Sequence, residues 1–222
     1  MSDGPDSRAA SDGNERRPTL IAESLEIRRG ATVIVSGFTW THEAGHVAWL
    51  VGPNGAGKSS LMRVLARLEP AAAGRVTHLG GHADSDSPAE ASRRGACRVG
   101  YYHPSMSLPG EVVARSFTRL GDRLVPHDKP LAPDRALGRK RCADLSTGEE
   151  KRLLLGQILA RARDFLLLDE PYEHLSGDAR LELTDALTRL ARRSAVVVAT
   201  NQEVPDRADG PVLRLTGTGI LT

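Results

Sequence analysis

The chain has 222 residues, with 30 basic and 28 acidic side chains and a formal net charge of +2, a length that buries one core and suits a single domain. So small a charge excess argues against a nucleic-acid partner. No apolar run is long enough to cross a bilayer, and the two cysteines, Cys97 and Cys142, build no framework of bridges and suit a reducing cytoplasm.

Residues 1–18 are rich in Ser, Asp, Gly and Arg with scarcely an apolar side chain, which predicts a flexible tail without the apolar core of a secretory signal. The folded domain is expected from 19 to 222. Its first clear element is the apolar run at 46–51, which reads as a buried strand. The strand leads into Gly52-Pro53-Asn54-Gly55-Ala56-Gly57-Lys58-Ser59, followed by Ser60. This is G-x-x-x-x-G-K-[ST], the pattern of a loop whose backbone N–H groups wrap the phosphates of ATP or GTP. Lys58 is one of only four lysines in the chain, so the match is not an accident of composition. Leu61, Val64, Leu65 and Leu68 then recur at helical spacing, predicting a helix from near Lys58 to just before Pro70. Glycines let the loop close around an anion, and the helix N-terminus adds free donors and positive dipole. Lys58 is placed to reach the β- and γ-phosphates, and Ser59 to ligate Mg²⁺.

The segment 80–88 is polar and reads as a loop. His78 and His82 are four apart but sit beside two glycines, so a helical metal pair is not expected. Arg139-Lys140-Arg141 reads as a solvated basic patch or, less simply, as a contact for phosphate or a partner. Directly after it comes Leu145-Ser146-Thr147-Gly148-Glu149, opening a helix that contains Leu154, Ile158 and Leu159. Ser146 and Glu149 satisfy the S-x-x-E capping box, so taken alone the segment is an ordinary helix start.

Phe165-Leu166-Leu167-Leu168-Asp169-Glu170 has the form of a strand covered on both faces, with carboxylates emerging at its C-terminal end. Asp169 is suited to hold Mg²⁺, directly or through water, and Glu170 to polarise the water that attacks a γ-phosphate. A helix at 178–192 carries Leu183, Leu187 and Leu190; a strand at 195–200 follows, and short closing strands are expected at 212–215 and 220–221. Alternating helices and buried strands predict an α/β fold with a mainly parallel sheet.

The three motifs, at 52–59, 145–149 and 165–170, resemble in order and spacing the ATP-binding cassette, or ABC, ATPases, whose signature reads LSGGQ. Arg152 also falls where such domains usually carry an arginine. The resemblance implies a P-loop NTPase fold of the ABC nucleotide-binding type, with a mainly parallel core sheet and an inserted helical subdomain at roughly 85–160. It implies ATP and Mg²⁺ as ligands and a head-to-tail dimer, of two copies or two different cassettes. Each nucleotide would lie between one subunit's 52–60 loop and the other's Ser146, Thr147, Gly148 and Glu149, with Ser146 and the Gly148 amide on the γ-phosphate. A single cassette of this kind resembles the separate ATPase subunit of a transporter. Its membrane-spanning partner would be another chain, placing it in the cytoplasm on the inner face of the membrane.

Several positions depart from the family pattern. The family's switch histidine is replaced by Asn201, which can hydrogen-bond a phosphate but cannot carry a proton. His103-Pro104 follow Val99-Gly100-Tyr101-Tyr102 where the family has a glutamine, no aromatic stands near Arg28-Arg29-Gly30 to stack on adenine, and Ser176 and Thr147 replace an aspartate and a glycine. These changes imply slow turnover, or a degenerate cassette that binds ATP with little hydrolysis and acts as a regulatory or assembly module. The turns at 100–103 and 200–202 also resemble those of the cytochrome c maturation haem exporter ATPases.

Overall fold

The computed structural model describes residues 17–80, 98–109, 131, 137–160, 164–206, 209–216 and 219–221. The expected tail up to residue 16, the loop at 81–88, His82, Cys97 and most of the helical subdomain, including 110–120, lie outside them.

The strands are β1 (Thr19–Arg29), β2 (Thr32–Glu43), β3 (Val47–Val51), β4 (Ala73–Leu79), β5 (Val99–Tyr102), β6 (Phe165–Asp169), β7 (Ala195–Thr200), β8 (Val212–Thr216) and β9 (Gly219–Leu221). The three α-helices among the described residues are α1 (Lys58–Leu65), α2 (Thr147–Ala160) and α3 (Gly177–Ala191). The main sheet runs β5-β6-β7-β3-β8-β9. Its first five strands are parallel, and β9 closes the edge antiparallel to β8.

Side chains alternate across a strand, so each parallel strand feeds two cores. Phe165 and Leu167 of β6, Ala48 and Leu50 of β3, and Ala195, Val197 and Ala199 of β7 face α1 and the second sheet. Leu166 and Leu168, Val47 and Trp49, and Val196 and Val198 face α2 and α3, meeting Leu154, Leu155, Leu159, Leu183 and Leu187. Both faces being covered explains why β6 and β7 are continuous apolar runs, buried at every position. Truncating a side chain such as Leu167 to Ala would cost about 2–5 kcal/mol.

The second sheet is antiparallel, in the order β2-β1-β4, and the sequence reading contained no part of it. Its apolar alternation is interrupted. Leu20 and Ala22 are buried, but the next buried pair is Leu25 and Ile27, one residue out of phase. Ser24 lies at φ 48° in the shift, and the pairing registers on both sides of β1 slip there, as at a β-bulge.

Helix α1 stops at Leu65, earlier than the leucine spacing predicts. Arg67 takes φ 58°, its N–H bonds to Val64 O at 2.9 Å, and Leu68 N–H bonds to Arg63 O at 2.9 Å. These are the two bonds of a Schellman ending. Leu68 therefore falls outside the helix and is 58% exposed rather than part of the stripe. His78 on β4 is buried, its Nε2–H donating to Leu65 O at 2.8 Å while the ring stacks on Phe165, so it is a core histidine.

Candidate active site

Four neighbouring parallel strands end on one side of the sheet; three hand over a polar residue there and the fourth leads into the glycine-rich loop. Beyond β5 comes His103, β6 ends in Asp169 with Glu170 next, β7 is followed by Asn201, and β3 runs into Gly52. The carboxyl ends of a parallel sheet are where such folds bind ligands.

The loop from Gly52 to Ser59 is held by its own backbone geometry. Gly55 and Gly57 have φ of 83° and 96°, and a Cβ at Gly57 would run into the side chain of Ile34 on β2. Only glycine fits there. Gly52 N–H bonds to Thr200 O at 3.3 Å, fixing the loop's first residue to the end of β7. Pro53, Asn54 and Gly55 are exposed, Ala56, Lys58 and Ser60 are buried, and Ser59 lies between, on the first turn of α1.

Lys58 turns back across the loop. Its Nζ donates to Gly52 O at 2.8 Å and Pro53 O at 3.1 Å, and it lies 3.3 Å from Glu170 Oε1. The ammonium thus has two carbonyl acceptors and one ion-pair partner. Glu170, at φ 48°, receives the backbone N–H of Asn201 on its other oxygen at 3.0 Å. The Asn201 side chain donates from Nδ2 to Asn54 Oδ1 at 2.8 Å. Lys58, Glu170, Asn201 and Asn54 therefore form one circuit of contacts around the mouth of the loop, closed through the backbone between Pro53 and Asn54.

Asp169 lies below it, fully buried, and among the described residues neither of its carboxylate oxygens has a hydrogen-bond partner. His103 Nε2 is 3.8 Å from Oδ2. Burial, helped by the charge of Asp169, pushes the Tyr101 phenol up to about 12, so the ring beside the site stays neutral. A buried carboxylate without hydrogen-bond partners among the described residues is chemically suited to a divalent cation, as is the Ser59 hydroxyl on the first turn of α1.

The residues 146–149 form a second cluster. Ser146 N–H donates to Glu149 Oε2 at 2.9 Å and Glu149 N–H to Ser146 Oγ at 3.3 Å, so the capping box is made. Lys140 donates to Glu149 Oε1 at 2.7 Å. Together these hold the Glu149 carboxyl down at about 2, the Lys140 hydrogen bond contributing most. Ser146 and Thr147 are exposed, and a Cβ on Gly148 would come within 2.8 Å of His174 O. The arginine of the pattern, Arg152, bonds Glu182 at 3.1 Å and ties α2 to α3. The contacts described for Ser146 and Glu149 run to each other and to Lys140, so the structure keeps this cluster as a surface apart from the Lys58 circuit.

A family model described as ABC transporter matches residues 35–173. That span carries the Gly52–Ser59 loop, the 145–149 segment and β6. The chain belongs to the ABC transporter family. As an ATP-binding cassette it is 32% identical, over 98% of its length and 97% of the relative's, to the cytochrome c biogenesis ATP-binding export protein CcmA of Cupriavidus pinatubonensis. It is 35% identical over 71% of its length, and 61% of the relative's, to the zinc import ATP-binding protein ZnuC of Cereibacter sphaeroides. The cassette fold is shared with a dimeric ATP-binding cassette in a post-hydrolysis state bound to ADP and Pi (TM-score 0.72, 16% identity, 90% of this chain and 96% of that one). It is shared equally with an ATP-binding protein from Pyrococcus furiosus described as a putative ABC transporter (TM-score 0.69, 17% identity, 89% and 97%). The family is one of ATPases, so ATP is the nucleotide class for this cassette. Among the described residues no helix is long and apolar enough to cross a membrane.

Sequence reasoning reached every residue of the circuit except for its wiring. That Asn201 spends its amide on Asn54, and Glu170 its charge on Lys58, has no sequence signal because the partners lie on different elements.

Proposed function

We propose that this cassette is the Mg²⁺-dependent ATPase subunit of a transporter, driving a separate membrane-spanning chain through ATP-dependent head-to-tail dimerisation. The observation that carries this reading is the convergence of Lys58, Glu170 and the unpartnered Asp169 at the ends of β3 and β6. In it, the Gly52–Ser60 loop and Lys58 bind the phosphates, and Asn201 orients its neighbours Glu170 and Asn54 against them. Ser59 and Asp169 would hold Mg²⁺, which would supply charge neutralisation for the phosphates. Glu170 accepts the proton of the attacking water. The surface formed by exposed Ser146 and Thr147 with half-buried Gly148 and Glu149 closes over the nucleotide of a second cassette, identical or different. The nucleotide then stabilises the one packing in which both surfaces touch it.

The relatives support transport but not a cargo, since their names divide between zinc import and export in cytochrome c biogenesis. We assign the choice of cargo to the membrane partner, which would also fix the cassette to the inner face of the membrane.

A second reading is a cassette that binds ATP but turns over slowly, in a regulatory or assembly role. It is favoured by Asn201, whose amide is already committed to Asn54 and cannot carry a proton. One experiment separates the two. ATP hydrolysis is measured for the purified chain and for Glu170→Gln, with dimerisation followed in the same samples. Mg²⁺-dependent turnover that the substitution abolishes supports the motor. ATP binding without turnover in either protein supports the regulatory cassette.

A further inference from the structure

Asp169 poses a physical problem. A fully buried carboxylate with two unpartnered oxygens is costly. Among the described residues, His103 Nε2 comes within ion-pair distance of it, 3.8 Å from Oδ2. The placement follows from the sheet, because Tyr102 pairs with Leu168, so the residues after them emerge side by side.

The ring of His103 is fixed by its own turn. Ser105 N–H donates to Nδ1 at 3.1 Å, and Ser105 Oγ lies 2.7 Å from the same nitrogen. A backbone N–H can only donate, so Nδ1 is an acceptor and carries no proton. The Ser105 hydroxyl must then donate to it as well. The ring proton is left on Nε2, the nitrogen that lies 3.8 Å from Asp169 Oδ2. The ring also stacks on Tyr101, with centroids 6.5 Å apart and planes 24° from parallel. A gap of 3.8 Å is longer than a direct hydrogen bond, so the contact as it stands is electrostatic.

We propose that His103 is a positioning residue for the cation site: a neutral Nε2–H donor that orients Asp169 toward the bound ion, and not itself a nitrogen ligand of that ion. The inference rests on Asp169 and Ser59 holding the cation. Its consequence is chemical selectivity. With His103 donating, the site offers only oxygen and keeps the character that suits Mg²⁺; with His103 ligating, it would gain an imidazole and favour transition metals.

Two measurements test this. In ligand-free protein with ¹⁵N-labelled histidine, a long-range ¹H–¹⁵N spectrum at pH 8, assigned by the signals lost in His103→Gln, should report the Nε2–H tautomer. With Mn²⁺ and a non-hydrolysable ATP analogue, pulsed electron paramagnetic resonance should find no ¹⁴N coupling from imidazole. His103→Ala should weaken Mn²⁺ about 10-fold, as loss of an outer partner of a ligand does. Affinity for the analogue without metal should stay unchanged. An Nδ1–H tautomer, a directly bound nitrogen, or unaltered Mn²⁺ affinity in His103→Ala would each overturn the proposal. If the unsubstituted protein binds no Mn²⁺ at all, the cation site itself fails and the role of His103 goes with it. Binding through nitrogen removes only the role.

Discussion

Lys58 Nζ and Glu170 Oε1 stand 3.3 Å apart, with side chains 5% and 12% exposed, so the lysine of the loop and the carboxylate after β6 neutralise each other. Phosphates approaching Lys58 must therefore compete with Glu170 for it, or share it. Glu170→Gln removes the competing charge while keeping an acceptor in place. It should bind ATP at least as tightly as the unaltered chain, lose turnover, and accumulate as a nucleotide-bound dimer. Light scattering alongside a nucleotide titration checks both halves, and a variant that stays monomeric at saturating ATP would count against the composite site.

Lys58→Ala attacks the same pair from the other side. It deprives the phosphates of their main side-chain partner and leaves Glu170 enclosed without a counter-charge. Breaking a buried pair by removing one partner costs about 3–5 kcal/mol, and the value here should sit at the lower end because Glu170 is partly exposed. The expected result is no measurable ATP binding by calorimetry and a lowered midpoint in urea. Unchanged ATP affinity in a folded variant would remove Lys58 from the site.

How much of this was legible beforehand depended on whether the pattern was local. The loop at 52–59 and the β6 run are contiguous and announce themselves, because one backbone segment does all the work. Strands β1, β2 and β4 did not, since the shift at Ser24 splits the alternation of β1 into two short halves, neither long enough to read as a strand. The stop at Arg67 was hidden for a different reason: a non-glycine residue in the left-handed region ends α1 while the leucine spacing continues. The Asn54–Asn201 bond joins residues 147 positions apart and depends on β3 and β7 being neighbours. Nothing in either segment encodes that adjacency.

The Lys140–Glu149–Ser146 cluster predicts an acid transition at the start of α2. Glu149 titrates at about 2 in the folded chain against an ordinary value of 4.5. A depressed carboxyl contributes stability that is complete above about 4.5 and is lost as pH falls from there through about 2. Lys140→Ala should move the titration of Glu149, followed by carboxyl carbon resonances, upward toward 4.5. A midpoint left near 2 would mean that the Ser146 N–H alone holds it. Ser146→Ala should cost about 1 kcal/mol, the usual worth of such a cap.

Gly148 is required for space rather than for φ. A methyl group there would meet His174 O at 2.8 Å, and His174 itself already sits at the unusual φ of 60° in an exposed turn. Gly148→Ala should destabilise by about 1–3 kcal/mol, the usual range for overpacking, and push the 146–149 surface out of line. ATP binding by the isolated chain should be spared while ATP-dependent dimerisation weakens. Equal loss of both would place Gly148 in a structural role only.

Asn201 offers the most direct test of what limits turnover. Its backbone N–H holds Glu170 and survives any substitution other than proline, whereas its side chain holds Asn54 and does not. Asn201→His therefore makes two changes at once: it cuts the tether to the loop and supplies a ring able to carry a proton. Asn201→Ala makes only the first. If the missing proton carrier limits the rate, the histidine variant should hydrolyse ATP several-fold faster than the unaltered chain, and the alanine variant no faster. If the tether itself restrains the loop, both variants should accelerate alike. Steady-state hydrolysis at saturating Mg²⁺ and ATP decides between them, and a histidine variant slower than the unaltered chain would mean that the amide bridge between Asn201 and Asn54 assists turnover rather than limiting it.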